Sequence, residues 1–488
     1  MSRLSVLHVV SELYPYAKTG GLGDVAAALP PALRSAGVDA RIVVPGYPGV
    51  LEAIRKAHTV HEDDDLFGGG AARVLAATLR GTDVPAFVLD CPGLFRRDGG
   101  PYQDASGKDF PDNASRFAAL GWTAHELSTQ GMGGFHPDVL HAHDWQGGLA
   151  IAYTKLRGGL GPACVVTIHN VAYPGAFDPK LLPELALPPE CYSIFGVEFF
   201  GRISFLKAGL YYADRITTVS PTYARELLHD GQGGGFEGLL RGRSRDLSGI
   251  LNGVDYREWS PDVDPHLPAP YDLEHLARKG ESKTALKRRL GLDEAHHGPV
   301  FGMVSRLVHQ KGVDWVLEVL PSLVQRGGMA VFLGSGDEAI ASGLERIARA
   351  FPRRVAFQRG YDESLSHLIQ AGSDFILVPS RSEPCGLTQL YALRYGSIPI
   401  VRRTGGLADT VVDATPEAMR AGRATGFSFD SESAAGLESA VDRALAIHRR
   451  PDLREGLQRA GMRADFSWNG PAMAYRALYE SARRGRGR

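Results

Sequence analysis

Pro379-Ser380-Arg381-Ser382-Glu383-Pro384-Cys385-Gly386-Leu387-Thr388-Gln389-Leu390 joins two stretches of opposite character. Before it, Phe375-Ile376-Leu377-Val378 is an unbroken apolar run of strand length. After it, Leu387 to Tyr395 carries a helical pattern. A carboxylate, a glycine and a hydroxyl therefore stand where a strand ends and a helix begins. In an open parallel sheet that is where ligands bind. The free N–H groups of a new helix attract an anion such as phosphate. Glu383 beside such an anion site suits the hydroxyls of a sugar phosphate or sugar nucleotide. Alone, the junction reads equally well as a plain connection, so its companions decide.

Working outward, short β-branched runs alternate with helical ones. The first half predicts strands at 5–10, 40–44, 86–89, 139–142, 164–168 and 215–219, with helices at 24–35, 114–127, 148–156 and 221–228. Pro30-Pro31 is expected to kink or split the first helix. The rhythm breaks from Tyr256 to Leu276, rich in proline, Asp and His. It restarts with strands at 300–304, 330–333, 355–358, 375–378, 398–401 and 426–429, and helices at 313–325, 338–350, 363–371 and 434–448. Alternation of this kind means βαβ units and parallel sheets. The expected fold class is α/β, two doubly wound, Rossmann-like lobes. The expected divisions are an N-terminal lobe at 1–255, a linker and start of the second lobe at 256–296, a C-terminal lobe at 297–466, and at 467–488 a helix crossing back to the first lobe with a basic tail.

The 488 residues allow two or three domains, and 44% hydrophobic with 22% charged residues is ordinary for a globular protein. A net charge of −1 gives no field for nucleic acid. The basic run Arg483–Arg488 reads as a solvated end. No signal pattern and no apolar stretch approaching a membrane span is read, so no membrane partner is expected. The four cysteines, Cys91, Cys164, Cys191 and Cys385, lack metal-ligand spacing and suit a reducing cytoplasm. Near a helix N-terminus Cys385 reads as a reactive thiol or, the favoured reading, as a small residue fitting the turn. His61 to Asp65 with Gly68-Gly69-Gly70 reads as an exposed turn.

Other strand ends carry the chemistry. Lys18-Thr19-Gly20-Gly21-Leu22-Gly23-Asp24 opens the first helix. Its lysine precedes the glycines, so it is no Walker loop, and its spacing is not that of a dinucleotide fingerprint. A lysine plus backbone amides suits phosphate or a polyhydroxyl ligand. In Ser305-Arg306-Leu307-Val308-His309-Gln310-Lys311-Gly312, Arg306 and Lys311 can converge on one anion. His141-Ala142-His143-Asp144-Trp145 and Thr167-Ile168-His169-Asn170 look at first like a metal site. No cysteine cluster or carboxylate-rich partner supports an ion, so no metal is expected. Polar groups around an oligosaccharide, with Trp145 as an apolar platform, fit better.

Taken in order, K-T-G-G-L-G-D-V, H-A-H-D-W, T-I-H-N, L-N-G-V-D (251–255), S-R-L-V-H-Q-K-G, E-P-C-G-L-T-Q-L-Y and R-R-T-G-G-L-A-D-T-V (402–411) closely resemble the bacterial glycogen synthases and plant starch synthases. The resemblance runs from Val9 to Tyr479. It implies a GT-B fold with a central cleft and transfer of glucose from a nucleoside diphosphate, with adenine favoured as the base. Glucose would go to the 4-hydroxyl of a non-reducing end, with retention, lengthening an α-1,4-glucan. It implies no metal and no cofactor beyond the substrate ADP-glucose.

By residue, Arg306 and Lys311 would hold the diphosphate, with Gly386, Leu387 and Thr388 at the helix start. Glu383 would bind glucose hydroxyls. His169 would lie near the anomeric centre, with Asp144 and Asn170 close by. Lys18, Gly20, Gly21 and Asp24 would reach the donor phosphate across the cleft. Tyr361 would pack on the base. Trp145, Asn252 and Cys385 would face glucose or glucan. Many retaining relatives carry a second Glu where this chain has Tyr391, so ribose recognition must differ. An epimerase should lack the glucan-facing motifs, and a non-catalytic glucan binder should have lost Arg306, Lys311 or Glu383.

Overall fold

The computed structural model describes residues 3–80, 84–158 and 161–485. Arg486, Gly487 and Arg488 of the expected basic tail lie outside them. The chain divides into two compact units, one formed by Met1–Gly253 with Trp468–Arg488 and the other by Val254–Ser467.

In the first unit the strands are β1 (Ser5–Val9), β2 (Asp39–Pro45), β3 (Ile54–Asp63), β4 (Ala72–Leu79), β5 (Pro85–Asp90), β6 (Val139–His143), β7 (Ala163–Ile168), β8 (Ala176–Phe177), β9 (Glu198–Phe199), β10 (Arg202–Ser204), β11 (Arg215–Thr218) and β12 (Leu247–Gly249). Nine of them form one sheet in the order β12-β11-β7-β6-β1-β2-β5-β4-β3. It is parallel from β12 to β5, and β4 and β3 add an antiparallel edge. The order reverses between β1 and β6, which makes their carboxyl ends the switch point of this unit. β6 and β7 are buried along their whole length, the two histidines of β6 included.

The helix Gly21–Ser35 is not split at Pro30 and Pro31. The prolines release the carbonyls of Ala26 and Ala27 from helical bonding. Burial of Val25, Leu29 and Leu33 in the core holds the helix nonetheless. His61–Asp63 close β3, so only the residues after them form the turn that was expected from His61. The last helix, Asn469–Gly485, belongs to the first unit as anticipated. Its Ala472, Tyr475, Tyr479 and Ala482 share a buried cluster with Leu4, Val6, Val139 and Val165 of β1, β6, β7 and their approach.

The second unit has β13 (Val300–Val304), β14 (Met329–Gly334), β15 (Val355–Arg359), β16 (Phe375–Val378), β17 (Ile398–Arg402) and β18 (Phe427–Phe429). They form one parallel sheet in the order β15-β14-β13-β16-β17-β18. Sequence order reverses between β13 and β16, again a doubly wound switch point. The segment 256–296, expected as a linker and the start of the second lobe, lies within this unit. Trp259, Tyr271 and Leu276 are buried with Leu390, Tyr395 and Met462. Its end forms the helix Lys279–Arg289. The prolines shaped this segment without loosening it, because its aromatic residues found a core.

That core contains a charged stack. The Trp259 ring lies between His367, 3.7 Å away, and Tyr391, 3.9 Å away, both nearly parallel to it. His367 Nδ1 meets Asp264 Oδ2 at 2.7 Å, and the Tyr395 hydroxyl donates to the same oxygen at 2.5 Å. Burial opposes protonation of His367, but Asp264 and Glu363 outweigh it and raise its pKa to about 9.

Candidate active site

In the second unit, two loops leave neighbouring strands at the switch point and are laced together. One follows β13 and runs from Ser305 to Gly312; the other follows β16 and runs from Pro379 to Leu387. The Arg381 amide donates to Gln310 O at 2.8 Å, and Gln310 Nε2 donates to Ser382 O at 3.1 Å. Arg381 also forms a two-pronged pair with Asp314 at 2.6 and 2.7 Å while lying over Trp315. Lys311 and Glu383 therefore meet: Nζ to Oε2 is 2.6 Å, and Ser380 Oγ donates to that same oxygen at 2.8 Å. Glu383 is 8% exposed. A buried carboxylate needs such partners to stay charged.

A pocket opens here, lined by Met303, Ser305, Lys311, Ser380, Glu383, Gly386 and Thr388 among others. Arg306 stands exposed on the loop rim. Leu387 caps and Thr388 begins the helix Thr388–Arg394. Gly386 has φ +72°, a left-handed value that explains the glycine. Behind this loop a second one packs backbone to backbone. Gly406 N donates to Glu383 O at 3.0 Å, and a Cβ on Gly405 or Gly406 would fall on the carbonyl oxygens of Glu383 or Cys385. The R-R-T-G-G-L motif is thus the mould for the glutamate loop. Arg402, unassigned from sequence, donates to the carbonyls of Ser380 and Arg381.

Tyr361 follows the carboxyl end of β15 and is 69% exposed. Cys385 is buried, in keeping with the favoured reading of a small residue that fits the turn. Tyr391 is used internally, against Trp259.

In the first unit the Lys18–Asp24 turn is held from beneath by Glu12. Glu12 Oε2 accepts the amides of Thr19 at 2.8 Å and Gly20 at 3.0 Å, and Tyr102 donates to Oε1 at 2.7 Å. Burial raises the Glu12 pKa, and these bonds oppose the rise. Two of the amides expected to face a ligand are consequently already bonded. Lys18 Nζ is 2.7 Å from Asp24, so Asp24 holds the lysine. Gly20 has an extended backbone, and a Cβ there would meet nothing within 4 Å. Neither strain nor packing requires its glycine, which stands at the N-cap of the helix, a position that favours glycine.

Across the β1/β6 switch point runs a row of imidazoles. Strand register sets His8 of β1 beside His141 of β6, and His143 beside Thr167 of β7. His8 Nδ1 lies 3.1 Å from His143 Nε2, and His143 Nδ1 lies 2.9 Å from His169 Nε2. His141 bridges Tyr479 at 2.8 Å and Thr167 at 2.7 Å. Burial holds all four well below the usual histidine pKa, His8 and His169 at about 3. Single nitrogens of His8, His141 and His143 lie close enough to share an ion, as do ligand atoms of His61, Asp63 and Glu126. Hydrogen bonding already engages both ring nitrogens of His141 and of His143.

Asp144 has φ +51° and turns its carboxylate onto the neighbouring loop. Oδ1 accepts the amides of His169 at 2.7 Å and Asn170 at 3.4 Å. Burial pushes its pKa up to about 7. Asp144 is thereby a backbone clamp for the loop bearing His169. Asn170 Oδ1 accepts the Ala172 amide. Trp145 does not form an open platform. Its ring packs edge-on against Phe117 at 4.9 Å and against Tyr102, Phe177 and Phe205, with Gly175 closing on it. Trp145 is partly buried and packs against the core cluster of this unit. Asn252 is buried, and its Oδ1 has no hydrogen-bond partner among the described residues. Gly253 beside it lies against Trp468.

No helix among the described residues is long and apolar enough to cross a membrane. The starch synthase catalytic domain family matches residues 5–242, and the group 1 glycosyl transferases match residues 287–462. A glycogen synthase of Rhodopseudomonas palustris is 49% identical over 479 residues, covering 98% of this chain and 99% of the relative. One of Acidiphilium cryptum is 50% identical over 478 residues, with 98% and 99% covered. Among solved structures, the catalytic domain of starch synthase IV from Arabidopsis thaliana bound to ADP and acarbose superposes with a TM-score of 0.90 at 32% identity, covering 99% of this chain and 100% of that one. The fold is therefore GT-B. With the motif order, the two switch-point sites and these full-length matches in agreement, the chain belongs to the glycogen and starch synthase family of glucosyltransferases.

Proposed function

We propose that this chain transfers glucose from ADP-glucose to the non-reducing 4-hydroxyl of an α-1,4-glucan, with retention, so lengthening glycogen. The observation that carries the reading is the Lys311–Glu383 pair, 2.6 Å apart in a pocket at the switch point of the second unit. The pair supplies a cation for a leaving diphosphate and a carboxylate for sugar hydroxyls in one place. Lys311 and the exposed Arg306 take the diphosphate; charge grows on it as the glycosidic bond breaks, so fixed cations act most strongly in the transition state. When phosphate draws Lys311 away, Glu383 is freed to accept from the glucose hydroxyls. Thr388 adds a donor at the helix start, and Tyr361 takes the adenine face.

In the first unit His169 serves the transferred glucose, and Lys18 serves the donor phosphate. The cations Arg306 and Lys311 stand in for a metal ion. ADP in the Arabidopsis relative's structure supports adenine as the base. The buried, unbridged cysteines agree with a cytoplasmic site of action.

The test is purified protein with maltoheptaose and ADP-glucose or UDP-glucose, followed by product chain length and anomeric NMR. Expected is a ladder of α-1,4-linked products, faster with ADP-glucose. Absence of elongation with both donors would reject the reading. Release of a free or epimerised sugar would favour the epimerase class.

A further inference from the structure

His169 is the outermost member of a file of three imidazoles. His8 and His143 are each 1% exposed, while His169 is part-exposed. Its Nε2 is committed to His143, so Nδ1 is the nitrogen left for a ligand. We propose that His143, backed by His8, is a positioning residue that fixes His169 in one ring orientation and one tautomer, with the proton on Nδ1, as a donor to the transferred glucose. The inference rests on His169 serving that glucose.

The proton assignment follows from counting. All three rings are neutral, because burial opposes their charge. Each neutral ring carries one N–H and one lone pair. Two arrangements satisfy both inter-ring bonds. In one, His169 Nε2 donates to His143 and His143 donates to His8, which leaves an N–H at His8 Nε2. In the other, His8 Nδ1 donates to His143 Nε2, and His143 Nδ1 donates to His169 Nε2. His8 Nε2 then bears only a lone pair, and His169 bears its proton on Nδ1.

His8 Nε2 is fully buried and has no hydrogen-bond partner among the described residues. Orphaned buried N–H groups are rarer than under-used acceptors, so the second arrangement is favoured. Aligned donors in a dry site also strengthen one another. The backbone is fixed separately, by the clamp of Asp144 on the His169 amide. The clamp sets where the residue stands, and the file sets how its ring faces and which nitrogen carries hydrogen.

Two substitutions separate the halves of the file. In His143→Asn the amide reaches the place of Nδ1 and keeps the bond to His169. In His143→Gln it reaches the place of Nε2 and keeps only His8. Selective ¹⁵N-histidine labelling reads the tautomer directly. Wild type is expected to show His169 protonated on Nδ1. His143→Gln should give a mixture of tautomers with kcat about five- to tenfold lower, the scale of one neutral hydrogen bond, and little change in KM for glucan. His143→Asn should retain the tautomer and most of kcat.

A wild-type His169 protonated on Nε2, or equal kcat and tautomer in the two variants, overturns the inference. Melting curves of both variants show whether any loss reflects folding; a kcat loss that merely tracks melting temperature also counts against the proposal. His169→Ala tests the underlying reading separately. Full kcat there would remove His169 from the site. A crippled His169→Ala beside an unaffected His143→Gln would reject the file alone.

Discussion

The two switch points hold opposite solutions to one electrostatic problem. In the second unit, charge is gathered on loops at the pocket rim, with Lys311 against Glu383 and Arg381 against Asp314. In the first unit, the equivalent position is filled by neutral imidazoles, hydroxyls and a buried carboxylate whose pKa is raised. An ion pair that lines a pocket can change partner when a charged ligand arrives. A buried neutral network cannot change partner cheaply, so it defines orientation instead. One unit is built to exchange ionic partners and the other to hold a geometry.

The largest expected effect comes from breaking the charged side. Lys311→Ala should lower kcat about a hundred- to a thousandfold, because a preorganised cation at a developing negative charge contributes about 2.7–4 kcal/mol. Steady-state kinetics with ADP-glucose and maltoheptaose measure it, and a change below tenfold would remove Lys311 from the reacting diphosphate. Next in size is the pH response of the second unit. His367 is raised from 6.5 to about 9. Its contribution, on the order of 3 kcal/mol, is therefore complete below pH 6.5 and lost as pH rises through 9. Buried Lys279, lowered to about 7, changes stability in the opposite sense. The difference in melting temperature between wild type and His367→Gln cancels that term. It should shrink steadily from pH 6.5 to 9.5, and a constant difference would contradict the ion pair.

Smaller again is the mould behind Glu383. Gly405 has φ +44°, and a Cβ would meet the Glu383 carbonyl. Gly405→Ala should cost about 1–3 kcal/mol of stability and displace the glutamate, raising KM for the donor. The neutral side is sharpened by Asp144. Asp144→Asn keeps an amide-accepting oxygen and tolerates the positive φ, so its melting temperature should match wild type, whereas Asp144→Ala should lose about 1–2 kcal/mol. The smallest expected effect is none: exhaustive chelation with EDTA should leave kcat unchanged, and a loss restored by a divalent ion would make the imidazole row a metal site.

Where sequence and structure agree, the reason is burial. The strands at 300–304 and 375–378 and the helices at 313–325, 338–350 and 434–448 match end to end. Parallel strands covered on both faces read as uninterrupted apolar runs, and helices between them keep a clear periodicity. The antiparallel edge from β3 to β4 escaped notice because β3 is mostly exposed and carries no such signal. Meeting of the Lys311 and Glu383 loops was legible from their positions after strands. The partners that do not announce themselves were not. Glu12 spends its carboxylate on the Thr19 and Gly20 amides, and Arg402 spends its guanidinium on carbonyls. A carboxylate or guanidinium bound to main chain leaves no spacing pattern, since its partner can be any residue. The ring packing of Trp145 was not legible for a related reason. A motif tells which residues recur together, and packing alone tells which way a ring faces.

The return of the last helix to the first unit has a consequence for how the protein is made. Leu4, Val6 and Val139 find Ala472, Tyr475 and Tyr479 only after 214 intervening residues have formed the whole second unit. During synthesis one face of the first sheet therefore waits uncovered while the second unit, a continuous segment, can finish folding ahead of it. A message cut short before Asn469 would yield a completed second unit tethered to an unfinished first one. The returning helix thus completes the cover of the first sheet, and the Tyr479–His141 bond ties it to the imidazole row at the heart of the first unit.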